Sequence, residues 1–167
     1  MRKVLYALAL TTAGVSASFS AVPASAQDFS ASRVITNFDE DNLRAVMTKL
    51  GGTVEPGSEG GYLIKFSNGT AATATFTVCG SGKCFGMNLT GGFGKPSDKS
   101  IAETERLVTD YNQRWNAAKA YSRGEGQSTV QHYMIADGGI TMENYRAQLS
   151  VYSGMLQKMR ETIYTEG

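Results

Sequence analysis

The chain has one histidine, His132, and only two cysteines, Cys79 and Cys84, in 167 residues. A zinc site needs three or four ligands, and no cysteine or carboxylate cluster accompanies His132 in sequence, so no metal is expected. The same isolation leaves no Ser-His-Asp arrangement legible along the chain. Charge of one sign is lacking as well. Lys and Arg number 16 against 15 Asp and Glu, a net of +1 with no basic run or patch, so nucleic acid is not an expected partner. No apolar run reaches the roughly 18 residues that make a membrane-spanning helix. Internal repeats and low-complexity segments are also missing.

What is present begins with a leader. Arg2 and Lys3 precede a mostly apolar run from Val4 to Val15, and Ala24-Ser25-Ala26 offers a small-residue cleavage site before Gln27. The expectation is a signal peptide over 1–26, cut after Ala26, and a mature domain over 27–167 in the periplasm or secreted medium. No membrane span is expected after cleavage. Losing Arg2 and Lys3 moves the net charge from +1 to −1. A single domain of this length can bury about two-thirds of its unfolded surface.

The strongest periodic signal lies at the C-terminal end. Met142, Tyr145, Leu149, Tyr152, Leu156, Met159 and Ile163 alternate spacings of three and four, which puts all seven on one stripe of a long helix. Thr141 is its expected cap. An earlier helix carries Leu43, Val46, Met47 and Leu50, with Thr36 or Asn37 as cap and Gly51-Gly52 as stop. A middle helix, capped by Asp98 or Ser100, carries Ile101, Leu107, Val108, Tyr111 and Trp115. The segment from Gln27 to Arg33 reads as a flexible lead-in.

Between the helices the period switches to two. Thr53 to Glu55, Tyr62 to Ser67 and Thr70 to Cys79 read as strands, with Asn68-Gly69 as a hairpin turn. Pairing Cys79 with Cys84 across Gly80-Ser81-Gly82-Lys83 sets Val78 against Phe85, Phe76 against Met87 and Ala74 against Leu89. All three apolar pairs then share a face, so hydrophobic patterning selects this register. Directly opposed residues lie within disulfide reach, and an exported chain with two cysteines predicts a Cys79–Cys84 bridge. A redox-active pair is the alternative. Gly91 to Pro96 reads as a loop, and Asn116–Ser122 with Gln127–Ala136 as a second hairpin whose register the alanine-rich first arm leaves open. The order is α-β-β-β-β-α-β-β-α, an α+β class with antiparallel sheet.

Three motif fragments carry nothing. Gly80-Ser81-Gly82-Lys83 imitates the end of a phosphate loop, but Thr77 and Cys84 stand where the pattern needs glycine and a hydroxyl residue. Asn68-Gly69-Thr70 and Asn88-Leu89-Thr90 match glycosylation sequons inside turn and strand signals, where chance explains them.

One stretch has a family character. Trp115-Asn116 ends a helix and leads into Ala118-Lys119-Ala120-Tyr121. A strand then runs to Gly138-Gly139-Ile140-Thr141, and Glu143-Asn144-Tyr145 opens the terminal helix. This order resembles the YbjN family of bacterial sensory transduction regulators, best between Leu107 and Met159. The resemblance implies a fold similar to type III secretion chaperones, whose sheet and helix surfaces hold protein segments, and it transfers no catalytic residues and no cofactor. The leader and the cysteine pair set this chain apart as an exported variant, and the strand from Val130 to Ala136 lacks the acidic character of other members. The functional expectation is therefore a non-enzymatic domain that binds a protein or peptide client. Tyr145, Tyr152, Gly154, Met155 and Met159 are its candidate interaction surface. Gly154 beside Ser150 and Ser153 lets another backbone approach, which adds a homodimer as a candidate partner. A thiol-redox or other small enzyme built on Cys79 and Cys84, or on His132, is the rival.

Overall fold

The computed structural model describes residues 28–165, so the signal peptide expected over 1–26 lies outside the described residues. In chain order the elements are β1 (Val34–Ile35), α1 (Glu40–Lys49), β2 (Thr53–Pro56), β3 (Tyr62–Lys65), β4 (Ala71–Gly80) and β5 (Lys83–Phe93). There follow α2 (Ile101–Arg114), β6 (Lys119–Gly124), β7 (Gln127–Ile135), β8 (Ile140–Thr141) and α3 (Met142–Tyr164). The expected α+β order is present, with the two-residue strands β1 and β8 added as a separate antiparallel pair. The main sheet has six strands in the order β2-β3-β4-β5-β7-β6, every neighbour antiparallel.

All seven residues of the C-terminal stripe are buried, as the periodicity predicts. Their helix lies against the sheet, with α1 and α2 packed beside it. Inward-facing Ile64, Ala72, Ala74, Met87, Leu89, Val130 and Met134 supply the other half of the core. Aromatic edges lock the layers together: Phe38 meets Tyr145 at 5.2 Å and Phe66 meets Tyr152 at 6.4 Å. Tyr152 also donates its hydroxyl to the Val130 carbonyl at 2.9 Å, so a phenol at the core centre keeps its polar end satisfied.

The structure corrects several expectations. β5 does not end at Gly91 but runs through Gly91 and Gly92 to Phe93, opposite Val130, Thr129 and Ser128. Gly91 breaks no strand. A Cβ there would collide with Leu156 of α3, so glycine is what lets the long helix sit close to the sheet. Thr36 and Asn37 do not cap α1. Asp39 does, accepting the Asn42 amide at 2.8 Å, while Asn37 braces the Asp39 carboxylate at 3.3 Å. Of the two candidates for α2, Ser100 is the cap, and Ile101 is 46 % exposed because the inward face of that helix begins at Thr104. The segment before β1 is docked: the Ala31 and Arg33 carbonyls accept the first amides of α3, from Glu143 at 3.0 Å and Met142 at 2.8 Å. Those amides have no partner inside the helix, which is why the lead-in has a place to bind.

Candidate functional site

The β4–β5 register agrees with the sequence at Cys79 with Cys84, Phe76 with Met87 and Ala74 with Leu89. The disulfide is formed, with an S–S length of 2.08 Å and the two Cα atoms 4.0 Å apart. Val78 departs from the pattern. Its φ is +52°, a left-handed conformation costly for a β-branched residue, and its side chain turns outward to 65 % exposure instead of pairing with Phe85. It joins Phe85, Tyr133, Ile135 and Asp137 around a shallow hollow of about 230 Å³. The Tyr133 hydroxyl lies 3.1 Å from Thr77 Oγ1, crossing the backbone at Gly86, where a Cβ would collide with the phenol.

Each cysteine lies in a strand. The start of α1 does come near, since the Phe38 amide donates to the Cys84 carbonyl at 2.7 Å, but the Asp39 carboxylate already occupies that helix end. His132 is five strand positions away, opposite Leu89, so it forms no joint centre with the sulfurs. Its ring stacks on Tyr152 at 6.0 Å, and Nε2 lies 3.4 Å from Gln148 Oε1. Among the described residues, no three His, Cys, Asp or Glu side chains gather where they could hold a metal ion.

The candidate surface on α3 needs revision. Tyr145, Tyr152 and Met159 are 0 %, 1 % and 0 % exposed, because they belong to the stripe that α3 turns toward the sheet. They cannot meet a partner without unfolding the core. Burial holds the Tyr145 and Tyr152 hydroxyls well above the usual phenol range, so both stay neutral. Gly154 and Met155 are half-exposed, and open space surrounds the position of a Cβ on Gly154.

Two larger hollows flank the helices. One, of about 510 Å³, contains Glu40, Arg44, Met47 and Val54. Arg44 pairs with Glu40 at 2.6 Å and donates to the Val54 carbonyl at 2.8 Å, and its hydrogen bond holds the Glu40 carboxyl below the usual range. Those charges are already answered. The other, of about 610 Å³, lies between the C-terminal end of α2 and the edge of β7, with Trp115, Asn116, Lys119, His132 and Tyr133 in its walls. Sequence reasoning missed this hollow, although unequal hairpin arms around a tight turn at 124–126 already imply an overhang.

These features define an α+β domain in which one antiparallel sheet carries helices on a single face. A family model described as “Putative bacterial sensory transduction regulator” matches residues 39–164, and the chain belongs to that family, YbjN. A solved structure, “Crystal structure of YbjN, a putative transcription regulator from E. coli”, is similar with a TM-score of 0.57 at 10 % sequence identity, covering 76 % of this chain and 91 % of that one. At that identity the likeness concerns the fold. No curated protein matches the chain.

Proposed function

We propose that the mature domain is an exported, non-enzymatic module that binds protein or peptide segments. The observation that carries this reading is the one-sided sheet: α3 and its neighbours cover the inner face, while Val78, Tyr133 and Ile135 stand exposed together on the other side. Contiguous apolar exposure with polar surroundings is the character of an interaction site. The leader and the oxidised Cys79–Cys84 pair support an envelope or extracellular location, since disulfides persist in oxidising compartments. The resemblance to type III secretion chaperones supports a client of polypeptide chemistry. The test is a photo-crosslinking residue at position 133 in the exported protein, with exposed position 103 on α2 as control. Recovery of a specific polypeptide from position 133 alone is the expected result; equal adducts from both positions count against the idea.

The rival thiol-redox reading draws on the exposure of Cys79. Counting free thiols in native exported protein separates the two, because a working redox pair accumulates reduced or mixed-disulfide forms that an inert bridge does not. A homodimer across the outward side of α3 is also proposed. Gly154→Leu tests it cleanly, because the added side chain enters open space in the monomer. The expected outcome is a dimer by size exclusion with light scattering that the substitution weakens about tenfold or more.

A further inference from the structure

β7 pairs with β5 from Ser128 to Ile135, but β6 accompanies it only as far as the Lys119–Gln131 rung. Beyond Gln131 the other side of β7 carries no strand among the described residues. Asn112 reveals which backbone groups face the gap. Its side-chain amide holds both the N–H and the C=O of Ala120, each at 2.8 Å, so Ala120 turns its peptide groups away from β7. Direction alternates along an antiparallel ladder, so Lys119 and Gln131 face one another, and the next β7 residues to point into the gap are Tyr133 and Ile135. Ala136, of the opposite parity, sends its N–H to Phe85 on β5 at 2.8 Å, as the alternation requires. The gap begins at the 610 Å³ hollow, which Gln131, His132 and Tyr133 line from β7. Elsewhere this sheet covers its margins, with Asn112 over β6 and Arg44 over β2.

We infer that the free edge of β7 from His132 to Ile135 takes an extended peptide as an added strand, with an acidic side chain on the outer face beside Lys119 and its neighbours entering the hollow beside Trp115. The inference rests on the peptide-binding reading above and specifies its ligand. Main-chain hydrogen bonds to Tyr133 and Ile135 hold the segment, and side-chain pockets choose it. Charge selects the acid. Lys119 lines the hollow from the outer face of β6, its ammonium 5.9 Å from the Tyr121 ring centroid, and none of the lining residues is Asp or Glu, whereas the Lys158 ammonium beside Trp115 is already paired with Glu161 at 3.0 Å. Successive side chains of a strand point to opposite faces, so the neighbours of the acid fall on the inner face beside Trp115 and His132. The Trp115 indole there packs against the core, which calls for apolar residues flanking the acid.

The test uses the mature domain and a fluorescein-labelled heptapeptide that alternates valine with glutamate, compared with the same peptide carrying lysine for glutamate. Fluorescence polarisation reads binding, and amide hydrogen exchange by NMR reads the place. The glutamate peptide should bind, slow exchange at Tyr133 and Ile135, and outbind the lysine peptide about tenfold or more. Ile135→Pro removes an edge donor that β5 does not use, and Lys119→Glu reverses the charge. Each should weaken binding by a similar factor with an unchanged circular dichroism spectrum. Binding that leaves those two amides unprotected, or that is indifferent to the peptide's charge, overturns the edge site while peptide binding as a function survives. No peptide binding, alongside a specific crosslink from position 133, has the same meaning; failure of both removes the function as well. Protection that grows with protein concentration alone would assign the edge to a second copy and overturn the proposal too.

Discussion

Two hydroxyls in β7, on Ser128 and Thr129, are buried without a hydrogen-bond partner among the described residues. An unsatisfied buried hydroxyl costs folding free energy that an isosteric methyl group does not. Thr129→Val should therefore raise stability by about 1 kcal/mol, read as a higher urea midpoint at an unchanged slope; a lower midpoint would show that the hydroxyl has a partner after all. The α1 cap makes the converse case. Asp39 accepts both the backbone and the side-chain amide of Asn42, at 2.8 and 2.6 Å. Asp39→Ala should cost about 1 kcal/mol, and thermal denaturation measures it. Choosing among Thr36, Asn37 and Asp39 was beyond local sequence. All three are competent cap types, and the choice falls to Asp39 because Phe38 is drawn into the core and anchored to Cys84.

Elements were most legible where one periodicity ran uninterrupted. The stripe of α3 and the alternation of Ala72, Ala74 and Phe76 in β4 both survive into the structure, because burial of one face alone decides them. What sequence hid was every position where a distant element sets the rule. Gly91 looked like a loop because Leu156, which needs the space, lies 65 positions away. Val78 looked like an inward strand residue, but the hairpin tip bends before the disulfide and turns it out. Closing so small a loop is worth about 2 kcal/mol on the chain-entropy account. Cys79→Ser with Cys84→Ser should lose roughly that amount, with faster amide exchange confined to the tip. Exchange that quickens throughout the sheet would instead make the clasp a global staple. At the sheet margin, Asn112→Ala frees the Ala120 peptide groups, and should cost about 1–3 kcal/mol and promote self-association, which light scattering detects.

At the scale of the whole molecule, three phenols from α2 and α3 lie in the core around one sheet face, and this makes stability asymmetric in pH. Tyr111, Tyr145 and Tyr152 all have ionisation pushed above the ordinary value of 10.0 by burial, that of Tyr111 to about 12. The folded chain then keeps protons that the unfolded chain sheds, so these groups do nothing below about pH 10 and subtract stability as pH rises beyond it. For Tyr145 and Tyr152 the loss is up to about 1.4 kcal/mol per pH unit each. The carboxylates behave oppositely. Glu40, Glu143 and Glu161 are lowered from 4.5 chiefly by hydrogen bonds from Arg44, Arg146 and Lys158, so their contribution is present above that value and lost as pH falls through their folded range. These pairs are largely exposed, and such pairs contribute little. Urea midpoints should accordingly slope gently on the acid side and fall steeply above about pH 10. Tyr145→Phe discriminates, since it deletes one titrating group from the centre of the core. It should flatten the alkaline slope while leaving the acid side unchanged, and an alkaline slope that persists undiminished would place the sensitivity outside the helix–sheet interface.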